Sequence, residues 1–270
     1  VSRVLLTGAS GFVGRPALAL LLEAGHEVHA VSRTPAPPAL AGLTWHQADL
    51  TDAAAAERLM REVAAEKLLH LAWYVEPGKY WQSVENVVWL EATLRLLRVF
   101  IAAGGRRAVL AGTCAEYEWS LDRYAEASAP LEPATTYGIA KNATRIVAER
   151  LAHDAGIELA WGRVFMPYGP GEPRERLLAS VVAALLAGQR APVSVGTQVR
   201  DFIYVDDVAR AFVAMLDGSV RGAVNVGTGR GCSVAAMIEL AAAAIGRAEL
   251  VGWGELPQRD GEPDELLADV

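Results

Sequence analysis

Tyr137 and Lys141 stand four residues apart in a stretch of helical pattern, and Thr113 follows the apolar run 108–111. Positions i and i+4 share one face of a helix. An ammonium beside a phenol favours the phenolate, so this spacing predicts that Lys141 lowers the pKa of Tyr137 toward working pH. Such a tyrosine gives or takes the proton when a carbonyl and an alcohol interconvert. Thr113, at a neighbouring strand end, would hold the same oxygen. A Tyr-x-x-x-Lys spacing is common by chance, and its weight comes from the elements around it.

Those elements begin at the N-terminus. The apolar run 4–6 leads through Thr7 into Gly8, Gly11 and Gly14, and then into the helical pattern Ala17, Leu18, Leu21, Leu22. That reads as a buried strand turning sharply into a helix. Glycines there allow unusual dihedrals and close approach of a ligand. The free N–H groups and partial positive charge of a helix start suit a pyrophosphate. The spacing is GxxGxxG, unlike the GxGxxG of the common dinucleotide fingerprint.

A second strand, 27–31, ends in Ser32 and Arg33. No acid stands there against a 2′-phosphate, and Arg33 can pair with one through a charge-assisted fork, which favours NADP(H) over NAD(H). The other reading is a loop arginine before the proline-rich turn 35–38. A third strand, 43–48, is followed by Asp49, either an acceptor for an adenine amino group or a turn acid. Asp52 or Thr51 caps a helix over 53–64. A fourth strand, 67–72, contains His70, read as a satisfied core histidine. The stretch 73–81, with Trp73, Tyr74, Glu76, Lys79, Tyr80 and Trp81, is either a substrate-pocket wall or a packed surface loop. A helix over 84–103 and the strand 108–111 follow. Further on come the helix of Tyr137, a Pro/Gly-rich loop with Arg174 and Arg176, helices over 177–187, 205–216 and 234–245, and strands 193–199 and 223–226. Strands alternating with helices predict an α/β fold with a doubly wound parallel sheet, whose carboxyl edge carries the chemistry.

The bulk composition narrows the function classes. The chain has 270 residues with a net charge of −7, 52% hydrophobic and 21% charged residues. An acidic chain argues against a nucleic-acid binder. No apolar run reaches a membrane span of ~18–20 residues. Cys114 and Cys232 give neither a disulfide framework nor a metal-ligand spacing, so a cytoplasmic protein without a metal is expected. The strand pattern begins at once, without the pattern of a signal peptide.

Together these motifs resemble the extended short-chain dehydrogenase/reductases, in particular the NAD(P)-dependent epimerase/dehydratase group acting on nucleotide sugars. The resemblance rests on the segment from Thr7 to Gly14, on His70-Leu71-Ala72, and on Thr113, Tyr137 and Lys141. Arg163, Tyr168-Gly169-Pro170-Gly171, the run Arg200-Asp201-Phe202-Ile203-Tyr204-Val205-Asp206-Asp207 and Asn225-Val226-Gly227-Thr228-Gly229 complete it. It implies a Rossmann-type domain over 1–165, rejoined by 201–227, and a smaller substrate lobe from 166–200 and 228–270. The cofactor would meet Gly8, Ser10, Gly11, Phe12, Val13, Gly14, Ser32, Arg33, Asp49, Leu50, Leu71, Ala72, Trp73, Tyr137 and Lys141. The resemblance makes Thr113, Tyr137 and Lys141 catalytic, and implies substrate contacts from Tyr74, Thr113, Cys114, Tyr137, Met166, Arg174 and Arg200. Arg200 would pair with the substrate diphosphate, unless it forms an ion pair with Asp201. A homodimer through the helices 84–103 and 137–155 is also implied, with Leu90, Leu94 and Leu97 placed either at that interface or on the sheet.

Two departures shape the expected activity. Dehydratases of the group carry Asp-Glu directly after the threonine, where this chain has Cys114 and Ala115; Glu116 comes one position late and should point elsewhere. Met166 stands where an asparagine often helps hold the phosphates. Cys114 reads as a buried filler. The leading expectation is an NADPH-dependent reductase of a keto group, at C4, on a nucleotide-linked deoxysugar. A nucleotide-sugar epimerase is the alternative, and a catalytically silent dinucleotide sensor a third.

Overall fold

The computed structural model describes residues 1–34, 41–258 and 261–270; the turn expected at 35–38 lies outside them. Seven strands form one parallel sheet: β1 (Arg3–Thr7), β2 (Glu27–Ser32), β3 (Leu43–Gln47), β4 (Lys67–His70), β5 (Arg107–Thr113), β6 (Glu158–Val164) and β7 (Gly222–Val226). Their spatial order is 3-2-1-4-5-6-7. The order reverses beside β1, so the ends of β1 and β4 flank the switch point where open α/β sheets bind ligands. Leu5, Leu6, Leu69, Val109 and Ala160 are buried on strands covered on both faces, which explains their near-continuous apolar runs.

Helices α1 (Gly14–Glu23) and α6 (Val205–Asp217) cover one face, through Ala17, Leu21, Val208 and Phe212. On the other face lie α2 (Ala53–Val63), α3 (Glu85–Ala102) and α4 (Thr136–Ala155), with Leu59, Leu96, Phe100 and Ala148 packed on Leu68, Leu110 and Trp161. Side-chain caps start several helices. Asp52, rather than Thr51, accepts from the Ala54 and Ala55 amides, and Thr135 accepts from the Gly138 amide at 3.1 Å. Gly156 ends α4 at φ +68, a left-handed position that suits glycine.

Beyond β6 the chain builds a smaller body. Helices α5 (Leu177–Leu186) and α7 (Val234–Ile245) pack through Val181, Leu185, Val234 and Ile238. A four-stranded sheet joins Cys232–Ser233, Val199–Arg200, Glu265–Ala268 and Arg123–Tyr124. The strand expected over 193–199 is not formed as such. Only Val199–Arg200 pairs there, while Ala191–Pro192 pairs with Val251–Gly252. Gly196, at φ +71, breaks the ladder between them: its carbonyl accepts the Ala235 amide at 2.8 Å, and a Cβ on it would lie 2.8 Å from that nitrogen. Among the described residues no helix is long and apolar enough to cross a membrane.

Candidate active site

The turn after β1 is built on close backbone approach. Gly8 has φ +71, and a Cβ on it would lie 2.8 Å from the Ala72 nitrogen at the end of β4. A Cβ on Gly14 would lie 1.9 Å from the Gly8 carbonyl oxygen, so α1 can start against the strand end only without a side chain there. No side chain caps Val13 at the head of α1. A helix start presented in this way fits the diphosphate of a dinucleotide.

From this turn a cavity of about 730 Å³ runs along the carboxyl edge of the sheet. Its walls include Gly8, Ser10, Gly11, Phe12, Val13, Gly14, Ser32, Arg33, Leu50, Leu71, Ala72 and Trp73, and then Thr113, Cys114, Tyr137, Lys141, Met166 and Arg200. Three expected residues are not in that lining. Asp49 is exposed, and its carboxylate accepts from the Thr51 amide at 2.9 Å and the Thr51 hydroxyl at 2.7 Å. Tyr74 donates instead to Glu76, which also holds Lys79, in a surface cluster. Arg174 is exposed, and Arg176 takes the cavity position. Glu172 grips the Arg176 guanidinium at 3.1 Å and places it 5.9 Å from the Phe12 ring centre, bringing the smaller body over the glycine turn. In the stretch 73–81, Trp73, Val75, Tyr80 and Trp81 face the cavity.

Thr113 is fixed by a device that its local sequence does not announce. Glu116, fully buried, turns back beneath the strand end, away from the cavity. It accepts from the Thr113 amide at 2.9 Å, Trp161 Nε1 at 2.8 Å and Arg163 Nε at 2.8 Å. Thr113 Oγ1 in turn accepts from the Ala115 amide at 3.2 Å, closing a capping box. Gly138 lets α4 lie against this turn, since a Cβ there would come 2.1 Å from the Ala115 carbonyl oxygen.

Tyr137 and Lys141 therefore meet at the carboxyl edge, but their electrostatics differ from expectation. Burial holds the Tyr137 phenol above the usual tyrosine range; the charge of Tyr80 adds to this and a Thr113 hydrogen bond opposes it. Burial also brings the Lys141 ammonium down to about 7, against the pull of Glu116. The expected lowering of Tyr137 is thus reversed, because desolvation is the largest effect on the phenol. Lys141 Nζ donates to the Ala111 carbonyl at 2.7 Å and lies 3.9 Å from the Trp73 ring centre. The rings of Tyr80 and Trp81 stand edge-on to Tyr137 at 4.8 and 5.8 Å. Burial pushes the Cys114 thiol up to about 12, which suits a filler and not a nucleophile.

His70 is enclosed as a core residue, with Nδ1 2.7 Å from Thr7 Oγ1 and Nε2 2.9 Å from Thr93 Oγ1. At the far end of the cavity, Arg200 pairs with Glu262 at 3.2 Å and donates to the Val199 and Pro263 carbonyls at 2.9 Å. Its neighbour Asp201 is not its partner: that carboxylate accepts from the Thr228, Gly229 and Ala268 amides. Gln198 and Glu262 also line this end, joined at 3.1 Å. No local pattern marked them, since their partnership spans more than sixty residues of chain.

The family model described as the NAD dependent epimerase/dehydratase family matches residues 4–227. The chain belongs to that family. Similar family members include the UDP-glucose 4-epimerase of Corynebacterium glutamicum, 30% identical over 300 residues and covering 98% of this chain and 87% of the relative. The dTDP-6-deoxy-L-talose 4-dehydrogenase (NAD(P)(+)) of Kitasatospora kifunensis is 31% identical over 255 residues, covering 88% and 78%. Among solved structures, the UDP-glucose 4-epimerase of Thermus thermophilus in complex with NAD superimposes with a TM-score of 0.86 at 25% identity, covering 99% of this chain and 90% of that one.

Proposed function

We propose that the protein is an NAD(P)-dependent 4-epimerase of a nucleotide-diphosphate sugar. The observation that carries this is the convergence of Thr113, Tyr137 and Lys141, with the glycine turn, on one cavity. The relatives named 4-epimerases then favour epimerisation over the net reduction that leads from sequence alone. Tyr137 Oη, as the phenolate, takes the proton from the sugar hydroxyl and, as the phenol, returns it after the keto sugar has turned over. Thr113 Oγ1 holds the reacting oxygen, and Lys141 faces the nicotinamide ribose. A dinucleotide held on the glycine turn after β1 would supply a reversible hydride acceptor for the carbon that bears that hydroxyl. Arg200, with Glu262 beside it, holds the nucleotide diphosphate, and Arg176 closes over the glycine turn. Cys114 and Ala115 leave the site without an acid pair for dehydration, and Glu116 is spent on Arg163 and Trp161.

Keto reduction with NADPH is the second reading. It is favoured by Ser32 and Arg33 at the end of β2 and by the relative named a 4-dehydrogenase. The test offers UDP-glucose without added reductant and follows UDP-galactose by chromatography. Conversion on bound dinucleotide supports the epimerase. No conversion, with NADPH consumed on a nucleotide-linked 4-keto-6-deoxyhexose, moves the assignment to reductase. Inertness toward both overturns it.

A further inference from the structure

The Lys141 side chain is almost wholly enclosed. Its ammonium donates to the Ala111 carbonyl at 2.7 Å, with the Trp73 ring centre 3.9 Å and the Trp161 ring centre 5.9 Å from Nζ. An ammonium so placed has given up water, and an aromatic face returns only part of that hydration. Trp73 is itself latched. Its Nε1 donates at 2.9 Å to Oδ1 of Asn86, which is fully buried in the first turn of α3. Asn86 Nδ2 donates to the Tyr80 carbonyl at 2.6 Å and the Ser83 carbonyl at 2.9 Å. One amide thus ties the indole over Lys141 to the loop that sets the Tyr80 and Trp81 rings against Tyr137.

We propose that Trp73 is a positioning residue for Lys141: latched by Asn86, its indole keeps the lysine dry and turned toward Ala111, and so governs the charge with which the lysine meets its ligands. Several titratable groups surround that site. Glu116 faces it from the turn after β5, His70 from β4, Tyr137 from α4, and Cys114 lies close to Tyr137. Glu116 favours the ammonium. His70 is held neutral by its own burial, so dehydration is the effect that prevails on the lysine. An apolar cover alone would strand the charge. The indole covers it and also offers a weakly attractive face, which lets a buried lysine switch charge near neutrality.

The experiment uses a feature of the composition: the chain has three lysines, Lys67, Lys79 and Lys141. Protein labelled with ¹³C at lysine Cε gives three signals, whose pH titrations are read by NMR. In the wild type one signal titrates near neutrality. Trp73→Ala admits water and raises that midpoint by about one pH unit or more. Trp73→Phe keeps an aromatic cover but loses the Nε1 donor to Asn86, and so raises the midpoint by less than Trp73→Ala. Asn86→Ala unlatches the indole without changing either partner and moves the midpoint upward. If Asn86→Ala does not fold, the two Trp73 variants decide. A midpoint unmoved in folded Trp73→Ala, or a wild type with no near-neutral lysine, overturns the proposal. The kinetic consequence rests on the reading of Lys141 as the partner of Tyr137. Under it, the alkaline limb of kcat moves upward in Trp73→Ala together with the NMR midpoint. A shifted midpoint with an unshifted kcat profile upholds Trp73 and overturns that reading of Lys141, so the two failures are told apart.

Discussion

Tyr137 carries the sharpest consequence at the scale of single residues. Its phenol is buried and held above its ordinary range, so that burial disfavours the phenolate that the proposed reaction needs. Tyr137→Phe should lower kcat about 10²–10⁴-fold while leaving dinucleotide affinity, measured by fluorescence titration, nearly unchanged. His70 gives a second prediction. Burial holds its imidazole down to about 3 from 6.5, so it stays neutral in the fold and takes a proton on unfolding. Its contribution is complete above 6.5 and is lost as pH falls toward 3. Urea unfolding at pH 7 and pH 4.5 should show a smaller acid loss in His70→Gln than in the wild type. The Tyr-Lys spacing and the buried histidine were both legible in the sequence. The direction of the tyrosine shift was not, because spacing reports proximity while the pKa depends on how much water remains.

Turns and strand ends decide the element scale. Glu116 joins the end of β5 to Trp161 and Arg163 on β6 in a fully buried cluster. Glu116→Ala leaves Arg163 without its carboxylate and should cost about 3–5 kcal/mol in denaturant unfolding. It should also lower activity in protein that remains folded, because Thr113 loses its anchor. At the other turn, Gly14→Ala forces a Cβ into the 1.9 Å gap before the Gly8 carbonyl. Overpacking of that kind costs about 1–3 kcal/mol, and dinucleotide affinity should fall with it. The glycine turn was readable because three glycines at fixed spacing have a local cause. The Glu116 cluster was not, since its partners stand 45 and 47 residues away.

For the whole molecule, the exposed apolar residues bear on assembly. Leu97 is buried in the sheet-facing core and Leu94 packs against it, which leaves neither as an outward anchor. Val84, Val87 and Val88 on and before α3, with Ile139, Ile146 and Val147 on α4, are the exposed apolar positions of these two packed helices. A homodimer through this face is the expected assembly. Val88→Glu with Ile146→Glu should shift sedimentation toward the monomer while leaving the thermal transition of the fold largely in place. A sedimentation coefficient identical to that of the wild type would remove these helices from any interface.

By itself the sequence determined what local rules can express. Alternating periods gave most strands and helices to within a residue or two, though not β6, and they placed a strand over 193–199 that does not form. The glycines gave the turn after β1, and the four-residue spacing put Tyr137 and Lys141 on one face of α4. Only the tertiary structure decided which side chains share the cavity. It chose Arg176 over Arg174, Trp73 and Tyr80 over Tyr74, and Glu262 over Asp201 as the partner of Arg200. It also reversed the expected titration of Tyr137. The physical reason is common to all of these: helical and strand periods are fixed by neighbours along the chain, whereas burial, and with it every charge in the site, is fixed by segments that meet only when the chain has folded.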